Sequence, residues 1–550
     1  MKVERHKTDV LCIGGGIAGL MAAIRSAESG AKTIVAEKGN TIHSGRGRAG
    51  NDHFWCYIPE VHGSDMADFK RECLKGPKLK LMQAGTATEV LDTFLAKSFD
   101  IVKLWDDWGI PMRYNGKWEF AGHSFPGDVL THLKYSGLHQ KKVLTEKALE
   151  KGVEIKNRVM IFDLLTHQDR VIGAIGIDTR QDKIIVFEAK AVILGTGFVD
   201  RLYPPAVSGW LPSLAGGLNL TGDGRAMAFR AGGTIVGAEI PRRHVGPRYY
   251  SRYGQATWVG VLKDAAGKAL GPYVTKPDRK YGDMTPEVKG VYLEEVMKSG
   301  RGPVYMDCTE VIPEDYEYFM HWMVHEGNSA FLDNMKDEGI DIRKHPIEFG
   351  VYHMLPEGKI WINEKAETSL KGLYSSGDES MGGIGPAATY GWISGENAAK
   401  YSKNLPESDL TTAKSDIEFN QEKLERVKSR SEGPDWREAN IALQQIMFDY
   451  AGATRSESLL TAGLTYLRRL RGKVEDTMIA RNQWELSRCL ETFNLFDIGE
   501  LVFLSANGRK ETRGLHRRSD YPLTDPMLDG KGLHIKRHEG EIIIEAKAAE

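Results

Sequence analysis

Apolar and polar positions open the chain in the order strand, turn, helix, strand. Val10 to Ile13 is a short apolar run followed at once by glycines, and Leu20 to Ser29 carries small and apolar residues at helical spacing until Gly30 stops it. A second apolar run, Thr33 to Ala36, ends in Glu37. The pattern predicts a βαβ unit. Two later runs repeat the strand-into-glycine form: Lys190 to Leu194 enters Gly195-Thr196-Gly197, and Gly372 to Ser376 enters Gly377-Asp378. Between them, from about residue 237 to 350, aromatic, basic and glycine-rich stretches alternate with helical patterns, which predicts an inserted domain. His321-Trp322-Met323 in this region reads as part of a core helix. Residues 413 to 505 are charged and rich in Leu, Ala, Arg and Glu. They fit amphipathic helices such as Trp436 to Tyr450 and Glu457 to Leu470, the second with Ser456 as N-cap. Two β-prone runs near the end, Leu533 to Arg537 and Glu541 to Glu545, flank Gly540 and predict a terminal hairpin or a partner-binding tail.

At 550 residues the chain exceeds one simple core, so two or three packed domains are expected. Its 73 basic and 75 acidic side chains nearly cancel, which argues against nucleic acid or an anionic membrane surface as a partner. The start, MKVERHKTDVLCIGGG, has no apolar h-region, and no stretch approaches the roughly 20 apolar residues of a membrane span. Both features point to a cytoplasmic protein. Five cysteines, Cys12, Cys56, Cys73, Cys308 and Cys489, are scattered without a CxxC, so no disulfide framework, iron–sulfur cluster or other metal site is indicated. Cys12 lies in an apolar strand pattern and reads as core; Cys56, beside Trp55, is the thiol most open to a role.

Gly14-Gly15-Gly16-Ile17-Ala18-Gly19 fits GxGxxG. Gly14 permits the tight turn, Gly16 lets a pyrophosphate approach the backbone, and Gly19 allows helix and strand to pack closely. The helix that follows, opening with Ile17 and Ala18, offers unpaired N–H groups and a positive dipole end to phosphates. Glu37 ends the second strand, where a carboxylate can accept hydrogen bonds from an adenosine ribose. Strand, helix and acid together mark a dinucleotide site. No second such fingerprint follows a strand where a nicotinamide domain would need one.

Over nearly its whole length the sequence resembles the flavoprotein subunits of succinate dehydrogenase, fumarate reductase and adenylylsulfate reductase. Glu37-Lys38 followed by His43-Ser44-Gly45 and on to Gly50 resembles the segment that runs along the flavin ring. Val192 to Gly197 looks like the ATG(G/T)G turn, which includes Thr196 and Gly197. Thr221-Gly222-Asp223-Gly224, with Ala231-Gly232-Gly233 and Glu239, is similar to the TGDG…AGA…E stretch. Gly377-Asp378 looks like the second FAD loop, where the acid binds the ribitol. Arg513 to Pro522 resembles RGxHxRxDYP. The resemblance implies an α/β chain (α+β overall): a Rossmann-like FAD-binding domain over residues 1–236 and 351–410, an inserted capping domain over 237–350, a C-terminal helical domain over 411–510, and a tail over 511–550.

Departures from the pattern are informative. Where many relatives carry the histidine that bonds covalently to FAD, this chain has Gly45, which implies non-covalent FAD. Counting back from Gly300-Arg301-Gly302, the arginine that serves fumarate reductases as proton donor is replaced by Val291, with Gly290 and Tyr292 beside it. Gly45, Arg301 to Asp307 and Glu511-Thr512-Arg513 lean toward the α chain of adenylylsulfate reductase, although Trp55 stands where that chain has an asparagine and the present one is shorter. A flavin site needs cations to hold an anion and an acid or base near the ring. The candidates are His353, near the HYxxGG histidine; His244, near that of QFHPT; Arg248 and Arg252, in a basic stretch with Arg242 and Arg243; and Arg46, which with Arg48 interrupts the flavin-facing segment just before Asn51-Asp52-His53. Arg46 and Arg48 read either as an electropositive site over the flavin or as a solvated loop.

The resemblance implies an anaerobic-type oxidoreductase exchanging electrons between a small anionic substrate and a ferredoxin-like iron–sulfur subunit. The C-terminal tail and helical region are then the natural docking surface, and further redox or membrane subunits are compatible with it. The alternative is a non-catalytic flavoprotein that relays electrons inside a larger redox complex, a reading that the loss at Val291 favours.

Overall fold

The computed structural model describes residues 1–75, 87–120, 129–204, 217–247, 258–270, 274, 276–279, 292–406 and 410–548. Its largest sheet has seven strands. Lys2–Ile13 runs parallel between Thr33–Glu37 and Lys183–Leu194, with Cys12 opposite Val35 on one side and Ile193 on the other. Glu154–Asn157 extends the parallel edge, and Leu373–Ser375 pairs parallel with the end of Lys183–Leu194. Arg170–Asp178 and Val159–His167 continue the other side as antiparallel strands. The strands buried on both faces are the near-continuous Val/Ile/Leu runs, as expected of a sheet covered on two sides. Helix Ile17–Glu28 covers one face and crosses helix Ile384–Lys403 closely. A Cβ on Gly395 would lie 2.2 Å from the Ala22 carbonyl oxygen.

A second, antiparallel sheet orders Pro241–Pro247, Ile347–Pro356, Val304–Asp307 and Val261–Lys263. Its apolar face packs on helices Pro313–His325 and Ser329–Asp337 around Trp258, Phe319, Met323 and Phe349. Helices Lys414–Lys428, Trp436–Tyr450, Glu457–Thr477 and Gln483–Gly508 follow. Ser456 caps the third, its hydroxyl accepting from the Leu459 N–H at 3.3 Å. The last helix is buried along most of its length, which explains its lack of a polar face. The chain ends in an antiparallel hairpin, Lys531–His538 with Glu541–Ala548, and Ile535 of the inner strand pairs with Ile235. No helix among the described residues is long and apolar enough to cross a membrane.

Candidate flavin cradle and active site

The glycine turn is built by close backbone approach. Gly14 has a φ of +97°, and a Cβ there would fall 2.4 Å from the Gly195 carbonyl oxygen; a Cβ on Gly19 would strike the Gly14 carbonyl. Gly16 is the N-cap of helix Ile17–Glu28 and has no side chain to satisfy its first-turn amides. Those orphan N–H groups and the helix dipole fit a pyrophosphate. Glu37 is buried, its two carboxylate oxygens accepting the Gly15 N–H at 2.6 Å and the Gly39 N–H at 2.7 Å. Each oxygen keeps a lone pair for a ribose hydroxyl. Lys141, which carries no signal in the sequence, donates to the Gly15 carbonyl; burial pulls its ammonium down to about 8, with Glu37 opposing. These features fit FAD.

Ser44 donates to the Asn40 carbonyl at 2.7 Å, and Gly45 approaches Gly16, a Cβ there lying 3.8 Å from its Cα. Lys38 donates to Asp223 Oδ2 at 2.6 Å, Glu491 Oε1 at 2.8 Å and Thr221 Oγ1 at 3.1 Å. Two expected cofactor contacts, Lys38 and Asp223, are therefore ion-paired with each other. Burial pushes the Glu491 carboxyl up, but Arg488, Lys38 and Arg201 outweigh it and hold it at about 2. Gly377, with a φ of +76°, sets its backbone against Ala18. Asp378 Oδ1 accepts the Gly383 N–H at 3.1 Å. Beside it, Glu379 is fully buried and accepts from both the hydroxyl and the N–H of Thr196, next to Gly197. Burial pushes Glu379 up to about 7, against the Thr196 hydrogen bonds and Arg225.

Arg46 belongs to a 3₁₀ turn, Arg46–Ala49, and donates to Asp200 Oδ1 at 2.5 Å; Arg48 is exposed. Arg46 is thus ion-paired with a buried carboxylate, while Arg48 reaches solvent. Arg242 and Arg243, adjacent on a strand, point to opposite sides: Arg242 lies over Phe198, whereas Arg243 donates to the Ala453 carbonyl at 3.4 Å. His244 and His353 are register partners on neighbouring strands; their side chains lie outside the described part, as do residues Arg248, Arg252, Gly290 and Val291.

Helix Pro313–His325 meets the segment expected to face the flavin at Gly50, where a Cβ would lie 2.5 Å from the His325 carbonyl oxygen. Glu326 Oε2 accepts the Asp52 N–H at 2.9 Å, Lys134 donates to Asp52 Oδ2 at 2.7 Å, and His53 Nδ1 lies 2.6 Å from Asp52 Oδ1. Asp52, His53 and Glu326 are close enough to hold a metal ion, but the Lys134 ammonium supplies the buried Asp52 with its cation. All five cysteines are free and buried, Cys56 included. Burial pushes the thiols of Cys73 and Cys308 up to about 12 and that of Cys56 well above the ordinary range.

A parallel-centred sheet, a glycine turn at a helix start and an acid on the next strand define a dinucleotide-binding protein. The FAD binding domain family matches residues 9–391, and the fumarate reductase flavoprotein C-terminal family matches residues 440–537. The chain belongs to the FAD binding domain family, carries the fumarate reductase flavoprotein C-terminal region, and is an FAD-dependent oxidoreductase. It is 26% identical over 579 residues to a fumarate reductase (CoM/CoB) subunit of Methanothermobacter marburgensis, covering 99% of this chain and 100% of that one. Adenylylsulfate reductase from Archaeoglobus fulgidus superposes with a TM-score of 0.84 at 22% identity, covering 100% of this chain and 97% of that one. A variant of the quinol fumarate reductase flavoprotein of E. coli superposes with a TM-score of 0.83 at 19% identity, covering 100% and 97%.

Proposed function

We propose that the chain binds FAD non-covalently and exchanges electrons between a small anionic substrate and a separate ferredoxin-like iron–sulfur protein. The observation that carries this reading is the group of arginines beside the flavin-facing segment, with Arg46, Arg225 and Arg242 all around Phe198. Bound FAD would supply the two-electron chemistry. The chain's own part is to hold the pyrophosphate on the first-turn amides after Gly16, the adenosine ribose on Glu37, and the ribitol near Asp378. The capping sheet brings Arg242 to the same place from the opposite side, so substrate charge is met between the two sheets. Gly45 has no side chain to form a covalent link. The five cysteines are scattered without the spacing of a cluster motif, which supports electrons leaving through a partner.

Acid precipitation tests the cofactor reading. The flavin band is expected to move entirely to the supernatant. A band that stays with the pellet would rule out non-covalent binding, and folded protein without flavin would remove the reading altogether. Electron exchange with a reduced ferredoxin but no turnover of any anionic oxidant would instead support the relay alternative.

A further inference from the structure

Lys141 lies in the first turn of helix Gln140–Glu150 and is buried. Its ammonium donates to the carbonyl of Gly15, the residue before the N-cap of helix Ile17–Glu28. Gln140, one position earlier, holds the neighbouring segment. Its Nε2 donates to the Gly47 carbonyl at 3.0 Å and to Asn51 Oδ1 at 2.6 Å, while its Oε1 accepts the Tyr135 hydroxyl at 2.7 Å. The start of this helix is therefore pinned both to the glycine turn and to the segment expected to face the flavin.

Anchoring alone does not account for a charge at Lys141. Gln140 shows that a neutral donor suffices to hold a carbonyl here, whereas an ammonium taken out of water needs an anion or several acceptors. The Gly15 carbonyl takes one of its three N–H groups, and the other two have no acceptor among the described residues. Glu37 is the carboxylate that acts on it, but that carboxylate accepts the Gly15 and Gly39 N–H groups and forms no ion pair with the ammonium. Burial outweighs Glu37 and pulls the Lys141 pKa down to about 8, so the place is short of negative charge. The other charged groups on the elements around it are turned elsewhere: Arg46 pairs with Asp200, Arg48 is exposed, and Lys142 pairs with Glu146 on the outer face of the same helix.

We propose that Lys141 is a cofactor-holding residue whose ammonium, anchored on the Gly15 carbonyl, takes a pyrophosphate oxygen of FAD alongside the first-turn amides after Gly16. This rests on the reading of the chain as a non-covalent flavoprotein, and adds a full charge to a phosphate site otherwise made of backbone. A phosphate oxygen supplies the missing anion, and a hydrogen bond between two charged groups is the strong kind. FAD affinity then depends on pH. Below about 8 the ammonium is already charged; above it, binding has to take up a proton, so affinity falls as pH rises.

The test uses the protein purified with its FAD, after acid has been shown to move the flavin of one sample to the supernatant. Serial dilution read by flavin fluorescence gives the FAD Kd at pH 7 and at pH 9. The wild type is expected to bind several-fold more weakly at pH 9. Lys141→Met removes a buried charge and keeps the length of the side chain. It is expected to raise the Kd at pH 7 by about tenfold or more and to bring the two pH values together. Lys141→Arg keeps a charge that does not titrate, and is expected to bind better than Lys141→Met with no change between pH 7 and pH 9. Folded Lys141→Met protein without flavin is the extreme of the expected loss, and Lys141→Arg then carries the pH comparison. Equal wild-type affinity at both pH values, or Lys141→Met protein that matches the wild type, would overturn the proposal. Variants that bind more weakly yet keep the wild-type pH dependence would overturn it too, because Lys141 would then only prop the turn. Flavin that stays with the acid pellet would overturn the non-covalent reading and this proposal with it.

Discussion

His516 and Glu379 are both fully buried, and they pull the stability of the chain in opposite directions as pH changes. His516 Nε2 lies 3.1 Å from the Arg509 carbonyl oxygen and Nδ1 3.3 Å from Arg455 Nη1, which fits a neutral ring donating from Nε2 and accepting at Nδ1. Burial and Arg455 pull its pKa down to about 3. As pH falls from the unfolded value near 6.5, the unfolded chain takes up a proton that the folded chain refuses. Stability is then lost at on the order of 1.4 kcal/mol per pH unit. Glu379, pushed up to about 7 by burial, does the reverse: its contribution is complete below about 4.5 and is lost as pH rises through 7. Between about 4.5 and 6.5 the two slopes cancel. His516→Gln removes one of them. Denaturant unfolding should therefore show the variant gaining on the wild type by about 1.4 kcal/mol per unit as pH falls from 6.5 to 5. A difference independent of pH would mean that His516 is not held neutral. The resemblance to RGxHxRxDYP marks this histidine, but its protonation state follows from burial and from Arg455, 61 residues away in sequence. Arg225 escapes the sequence for a related reason. It stands directly after TGDG, and only the fold brings it to Phe198 and Arg46.

Elements were most legible where one buried face wrote its period into the sequence. Trp436 to Tyr450 is observed with those limits, and Thr33 to Glu37 is the strand expected. Limits failed where pairing, not apolarity, extends an element. The first strand begins at Lys2, well before Val10, because its polar half pairs with Lys183 to Ala189 while remaining mostly half-buried. Helix Glu457–Thr477 likewise outruns Leu470 on charged turns anchored by the buried Val474 and by Arg471, which pairs with the buried Asp497 at 2.8 Å. The crossing of helices Ile17–Glu28 and Ile384–Lys403 had no sequence signal beyond small residues, yet it packs on the helix whose start we propose as the pyrophosphate site. Gly395→Ala would drive a methyl group into the Ala22 carbonyl, and overpacking of this kind costs about 1–3 kcal/mol. A lower Tm together with weaker FAD retention in dialysis is the expected result. Lower stability with unchanged FAD retention would show that the crossing does not govern the cradle.

At the scale of the whole molecule, the C-terminal residues are stitched to residues 235–239, at the expected border between nucleotide-binding domain and cap. Arg509, buried at the end of the central helix, donates to Glu239 Oε1 at 2.7 Å, to Glu511 Oε1 at 2.7 Å and to the Lys531 carbonyl at 2.8 Å. Arg455 reaches the Glu239 carbonyl as well. The inner strand Lys531–His538 buries Leu533 and Ile535, and lies between Ile235–Val236 and the outer strand Glu541–Ala548. The outer strand is mostly exposed, so it alone in this hairpin presents a free face to a partner. Ending the chain after Asp529 would therefore uncover Ile235, Arg509 and the Gly508 end of the buried helix, and leave the Arg509 Nη2 without its acceptor. A donor that loses its acceptor is destabilising while it stays buried, and an exposed strand edge promotes association. The truncated chain is expected to aggregate or to lose FAD at temperatures the full chain tolerates, as followed by flavin fluorescence during a thermal ramp. A truncated chain that stays monomeric, with its flavin spectrum and Tm intact, would show that the hairpin is an appendage available for docking as a whole.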